Sequence, residues 1–209
     1  MKLYFIRHGE TEWNKQRKLQ GQVDIPLNEY GRSLAKITAE GMADIPFDKV
    51  FTSPLKRAKE TAQILCENRP VTPIEDVRLK EISFGVGEGK SLAAIHNQPG
   101  IKLYAFLHHP EDYVPPRNGE TFIDMYRRCD SFIEEVLLPL ESTCENVAVV
   151  AHGALIRGMI HYANHRPEKD FWSVTHKNCS VTIMDCTDGH LTILEEGKIY
   201  YKEEVEATW

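Results

Sequence analysis

Two histidines stand in front of a glycine at the end of an apolar run: Arg7-His8-Gly9-Glu10-Thr11 and Ala151-His152-Gly153. An imidazole can be a nucleophile, a base or a metal ligand, and a guanidinium offers a planar fork of donors suited to phosphate or carboxylate. Arg7 adjoins the first histidine, and Arg57 lies in Ser53-Pro54-Leu55-Lys56-Arg57-Ala58. Phosphoryl transfer needs a nucleophile, charge neutralisation on the equatorial oxygens and an acid for the leaving oxygen. His8 is the candidate nucleophile. It must be neutral to attack, and His152, Arg7 and Arg57 nearby would disfavour its protonation. Glu81, ahead of the glycine-rich run Gly85 to Gly89, is the candidate acid, although its neighbours alone suit a solvent-facing carboxylate better. Asn14 and the Gln20-Gly21 backbone can add neutral donors. Gly9 would let the backbone approach whatever His8 touches.

These residues need elements that bring them to one place. Leu3 to Ile6 reads as a short buried strand, and Val147 to Ala151 as another, each handing over to its His-Gly. Ligands of open α/β sheets bind beyond the carboxyl ends of strands. Residues 48–52 make a further strand. Ser53 is then a helix N-cap and Pro54 a first-turn proline, with the helix running to about Asn68. Its open N-terminus would attract an anion at the same edge. Asn28 caps a helix over about 29–43, with Leu34, Ile37 and Met42 among its apolar positions, and a strand follows near 71–74. Thr121 opens a long helix to about Leu140, and another runs from Ala154 to about Ala163. Val181 to Asp185 and Leu191 to Leu194 form a hairpin around Asp188-Gly189. The order predicts a three-layer α/β/α sandwich with a mainly parallel sheet and an antiparallel edge strand.

Residues 82–120 are punctuated by glycines and prolines and read as a helical and loop insert, with short helices near 91–97 and 101–107, over the sheet's edge. His108, His109, Tyr113, Arg117 and Asn118 are its candidate pocket residues. The whole, residues 1–209, reads as one domain with that insert. The acidic stretch 195–209 is expected to be ordered only in part.

The 209 residues carry a formal net charge of −6, which argues against a general nucleic-acid binder. Cys66, Cys129, Cys144, Cys179 and Cys186 form no CxxC pair and read as free thiols of a reducing cytoplasm. Residues 2–6 are too short for a signal-peptide core, and no apolar run suits a membrane span. No HExxH, HxH or Cys/His cluster with metal-ligand spacing is present, and His108-His109 read as surface loop residues.

Taken together, Arg7-His8-Gly9-Glu10-Thr11 with Trp13-Asn14, Leu27 to Gly31, Ser53 to Ala58, Glu81, Asn118 to Thr121 and His152-Gly153 resemble the histidine phosphatase superfamily, phosphoglycerate-mutase branch. The resemblance spans nearly the whole chain. It implies a phosphohistidine mechanism without metal or cofactor. His8 would take the phosphoryl group, Arg7, Arg57 and His152 would hold its oxygens, and Asn14 would add a hydrogen bond. Gln20, Gly21 and Gly153 would fall at the substrate, and Glu81 would protonate the leaving alkoxide and then activate water. Gly87 departs from the family pattern, which often has an aromatic residue there at the mouth of the site.

The expected activity is hydrolysis of a small phosphorylated metabolite by a cytoplasmic monomer or homodimer. A cofactor-dependent phosphoglycerate mutase is the alternative, and a non-catalytic phosphate-binding module a weaker one. The insert offers Lys90, Lys102 and Arg117 as cations, with His96, His108 and His109, but residues 195–209 are net acidic, which suits a lid over phosphates poorly.

Overall fold

A computed structural model describes residues 1–202. The chain opens with β1 (Lys2–Arg7), the single-turn α1 (Glu12–Lys15), α2 (Glu29–Gly41) and β2 (Lys49–Thr52). It continues with α3 (Lys56–Cys66), β3 (Ile74–Glu75), α4 (Leu92–His96), α5 (Lys102–His108) and α6 (Phe122–Phe132). β4 (Asn146–Ala151), α7 (Gly153–Asn164), β5 (Val181–Thr187) and β6 (His190–Lys198) complete it. The sheet order is β3-β2-β4-β1-β5-β6. The first four strands are parallel, and β5 and β6 are antiparallel, so the expected edge strand is an edge pair.

Both sheet faces are buried, because side chains alternate along a strand. Leu3 and Phe5 of β1 join a core with α6 and α7, through Phe132 and Leu155. Tyr4 and Ile6 point the other way, to Ala58, Ala62 and Leu65 of α3 and to Met42 just past α2. This gives the three layers. Asp188 and Gly189, both at positive φ, make the β5–β6 turn.

Several boundaries differ from the sequence reading. Helix α2 ends at Gly41, short of Pro46, and buries Gly31, Leu34, Ala35 and Thr38 while Ile37 is exposed. Thr121 caps α6 with a capping box to Asp124, but the helix gives way to a π turn at Ile133–Leu137 and a 3-10 turn at Leu138–Leu140. The strand near 71–74 is the two-residue β3. The acidic stretch contributes Glu195 to Lys198 to β6, and its residues 203–209 lie outside those described. The five cysteines are buried and free. Among the described residues no helix is long and apolar enough to cross a membrane.

Candidate active site

Strand register brings the two histidines together. Arg7 of β1 pairs with Ala151 of β4, so the next residue on each strand, His8 and His152, leaves the sheet at the same level. Neighbouring strands lie about 4.8 Å apart, and the two imidazole centroids are 5.2 Å apart. On the other side of β4, Thr52 pairs with Val150, which places Ser53 beside the same edge. The backbone continues the ladder, with His8 N donating to Ala151 O at 3.0 Å and Ser53 N to Val150 O at 3.0 Å.

Arg57 lies between the rings. Its Nε–H is 3.2 Å from His8 Nε2 and 3.2 Å from His152 Nδ1, so both nitrogens present lone pairs to it. The remaining hydrogens follow. His8 Nδ1 carries its proton and donates to Gly9 O at 2.7 Å. His152 Nε2 carries its proton and donates to Ser53 Oγ at 2.8 Å. Arg57 is fully buried and anchored by Val23 O at 2.8 Å and Gly21 O at 2.7 Å. Burial, then Arg57, drives the pKa of both histidines well below the ordinary value; Arg7 adds to this for each, and His8 adds to it for His152. Both rings are neutral at neutral pH. Burial also lowers Arg57, to about 10, with Glu81 and Asp24 opposing the shift.

Glu81 reaches the site from the segment after β3. Asp76 caps the turn at Val77–Leu79, and Arg128 Nη1 binds Arg78 O and Lys80 O, each at 2.6 Å. The Glu81 carboxylate then accepts Leu155 N at 3.0 Å, Ala154 N at 3.1 Å and Ile82 N at 3.0 Å. It thereby caps α7, the helix that His152 precedes.

These groups surround a cavity of about 240 Å³. Arg7, His8, Asn14, Gln20, Gly21, Arg57, Glu81 and Gly153 line it, and His152 lies behind Arg57, fully buried. The sequence-derived residues therefore converge. Asn14 uses Oδ1 in the α1 capping box with Thr11. Gly21 sits at φ +54°, and a Cβ there would fall 2.1 Å from Glu88 Oε1, which itself accepts Gln22 N at 2.9 Å. Among the described residues no group of three or more His, Cys, Asp or Glu side chains is arranged to hold a metal ion.

Six details depart from the sequence reading. Ser53 does not cap α3, which begins at Lys56 after Leu55; its hydroxyl serves His152 instead. The α3 N-terminus is not open to an anion, because Asp24 Oδ1 accepts Lys56 N at 2.7 Å. Gly9 makes room for the backbone of Gly31 rather than for a ligand, since a Cβ on Gly9 would meet Gly31 O at 2.5 Å. The outer wall is built from Phe84, Leu92, Phe106, Leu107 and Trp172, not from His108, His109, Tyr113, Arg117 or Asn118. Gly87 is buried against Leu103 instead of standing at the mouth. His108 belongs to α5, and its Nε2 lies 2.7 Å from His96 Nδ1.

Sequence reasoning missed Arg157 and His176. Arg157 is one helical turn past Gly153, a spacing that marks it as α7's inward cation. Its guanidinium bonds Phe171 O at 2.8 Å, Gly153 O at 2.8 Å and Val174 O at 2.7 Å. His176 sits in a segment without periodicity, and no local signal singles it out. Trp172 Nε1 donates to Phe106 O at 2.7 Å and ties that segment to the insert.

The chain and its fold have counterparts. An uncharacterized phosphatase, PhoE, of Bacillus subtilis is 37% identical over 157 residues, covering 74% of this chain and 73% of that protein. The solved structure of YhfR from Bacillus stearothermophilus superposes with a TM-score of 0.84 at 32% identity, covering 95% of this chain and 97% of that one. Phosphoserine phosphatase from Entamoeba histolytica, solved in complex with 3-phosphoglyceric acid, gives 0.76 at 29% identity over 93% and 95% of the two chains. Other relatives are named phosphoglycerate mutases. The family model described as histidine phosphatase superfamily (branch 1) matches residues 3–198, and the chain belongs to that family of enzymes.

Proposed function

We propose that this protein, acting as a single domain, hydrolyses a small phosphomonoester through a phosphohistidine at His8. One observation carries the reading: the His8 Nε2 lone pair faces the Arg57 Nε–H, while Nδ1–H is held by Gly9 O. A neutral, oriented imidazole meets the cation that a phosphoryl oxygen would need.

In the first step the Nε2 lone pair forms the N–P bond as the ester P–O bond breaks. The departing alkoxide takes a proton from Glu81, and the Nδ1–H···O bond supports the positive charge that grows on the ring. Arg57 and Arg7 neutralise the equatorial oxygens. His152, its Nδ1 accepting the Arg57 Nε–H, orients that guanidinium beside the phosphoryl group. In the second step Glu81 takes a proton from water, the water oxygen bonds phosphorus, the N–P bond breaks, and inorganic phosphate leaves.

A mutase would have to hold a second anionic group while the intermediate turns. Lys90, Lys102 and Arg117 of the insert do not line the cavity. Arg157 does, but three carbonyls hold its guanidinium, and residues 203–209 contain no Lys or Arg. Lys18 remains beside the phosphate set, against a largely apolar outer wall. This supports hydrolysis over the mutase and, with an acid in place, over a binding module.

The test is His8→Ala, which should abolish turnover of p-nitrophenyl phosphate with thermal stability preserved. Phosphate label trapped on the unaltered protein should be lost in acid and kept in base, as a phosphoramidate is. Turnover by the variant, or acid-stable label, would remove His8 as the nucleophile.

A further inference from the structure

The two carbonyls that anchor Arg57, Gly21 O and Val23 O, lie on either side of Gln22. Gln22 is itself fixed by a carboxylate from another segment. Glu88 follows the short turn Gly85–Gly87, and its Oε1 accepts Gln22 N at 2.9 Å and Phe84 N at 3.1 Å. The carboxylate comes this close because residue 21 is a glycine at φ +54°, and a Cβ there would fall where Oε1 stands. Glu88 does not line the cavity.

Gly21 O and Gln22 N belong to one peptide unit, and that peptide is trans. A trans peptide is planar and holds its C=O and N–H on opposite sides. The plane is therefore held at both ends, its N–H by Glu88 and its C=O by Arg57 Nη2 at 2.7 Å. Glycine resists rotation of the adjoining peptide less than any other residue. Without an acceptor for Gln22 N the plane can turn, and Arg57 Nη2 then loses its carbonyl. The Nη bonds to Gly21 O and Val23 O set the guanidinium plane, and with it the Nε–H that faces His8 and His152. Gln22 also reaches the proposed acid, because its Nε2 donates to Glu81 O at 3.0 Å.

We propose that Glu88 is a positioning residue, which fixes the Gly21–Gln22 peptide and thereby aims the Arg57 guanidinium at the phosphoryl group. The proposal rests on the phosphohistidine reading above and adds the residue that holds its cation in place. What acts is the reach of the acceptor oxygen more than its charge. Burial lowers Arg57 to about 10, Glu81 and then Asp24 oppose the shift, and Glu88 follows them.

Two variants separate reach from charge. Glu88→Gln keeps the length and an acceptor oxygen and gives up the charge; Glu88→Asp keeps the charge and falls one methylene short. Turnover of p-nitrophenyl phosphate is measured together with inhibition by orthovanadate, which takes up the five-coordinate geometry of the transition state, and by inorganic phosphate, which does not. Glu88→Gln should stay within about threefold of the unaltered protein in kcat and in both inhibition constants. Glu88→Asp should lose about tenfold or more in kcat and in vanadate affinity, while KM and phosphate inhibition change less than about threefold. A Glu88→Asp protein that keeps its kcat and its ratio of vanadate to phosphate affinity, whatever its melting temperature, would make Glu88 a strut of the loop and overturn the proposal. A Glu88→Gln protein as impaired as Glu88→Asp would put the effect on charge and overturn it as well. Failure of the phosphohistidine reading shows separately, as turnover by His8→Ala with Glu88 in place.

Discussion

The Ser53 hydroxyl accepts the Nε2–H of His152 at 2.8 Å, behind the cavity and away from His8. Which nitrogen of an imidazole carries its proton is set by the bond the other nitrogen makes. Ser53 thereby leaves Nδ1 with the lone pair that Arg57 faces. In Ser53→Ala the buried Nε2–H loses its acceptor, which should lower stability by about 1–3 kcal/mol. The freed ring can take the wrong tautomer, and kcat should fall roughly tenfold while KM moves less. Thermal unfolding and steady-state rates check both. An unchanged kcat would show that His152 needs no such hold.

Glu81 both caps α7 and faces the cavity. An amide at that position sets an N–H against the helix N–H groups, so Glu81→Gln should cost about 1 kcal/mol of stability. Its effect on rate should depend on the leaving group, with a loss of about 10²- to 10³-fold on alkyl phosphates and much less on p-nitrophenyl phosphate, whose phenolate needs no proton. Equal losses on both esters would remove Glu81 as the acid.

Gly9 and Gly31 touch backbone to backbone, and this contact sets the loop that leaves β1 against α2. A Cβ on Gly31 would lie 2.1 Å from Glu10 O, where nothing flexible can give way. Gly31→Ala should cost at least about 1–3 kcal/mol and shift the residues beside His8. Gly100 has no atom within 4 Å of its added Cβ and is the control. Denaturant unfolding should separate the two variants, and equal midpoints would mean the loop adapts.

His8, His152 and His176 are held neutral in the folded protein, the last with its pKa near 4. Unfolded, each titrates at about 6.5. Below that pH the unfolded chain binds more protons than the folded one, so folding stability falls as the solution is acidified from about pH 6.5. Glu196, whose pKa is lowered on folding, acts in the same direction at lower pH. The expected slope approaches about 1.4 kcal/mol per pH unit for each histidine. Urea midpoints at pH 7.5 and 5.5 measure it, and His176→Gln should show a shallower slope. Equal stability at the two values would mean these rings take up protons while folded.

Local pattern alone located β1 and β4, the His-Gly pair at their ends, and Arg57 near the start of a helix. Apolar runs bounded by glycine reveal where strands end, and strand ends are where a parallel sheet exposes ligand groups. The resemblance of those motifs to a phosphatase family supplied Glu81, which its own neighbours did not distinguish.

Other features depend on packing between distant segments. Ser53 looks like a helix cap until the β2–β4 register sets it beside His152. Asp24 closes the α3 N-terminus from another loop, and Gly9 is small because of Gly31. The outer wall and His176 come from the insert and the segment after α7, positioned by Trp172 on Phe106 O and by Glu196 of β6. Sequence by itself determined which groups can act on phosphorus and on which elements they ride, because both follow from residue type and short-range pattern. Tertiary structure alone decided what lines the rest of the cavity, because hydrogen bonds between remote segments leave no trace in the order of residues.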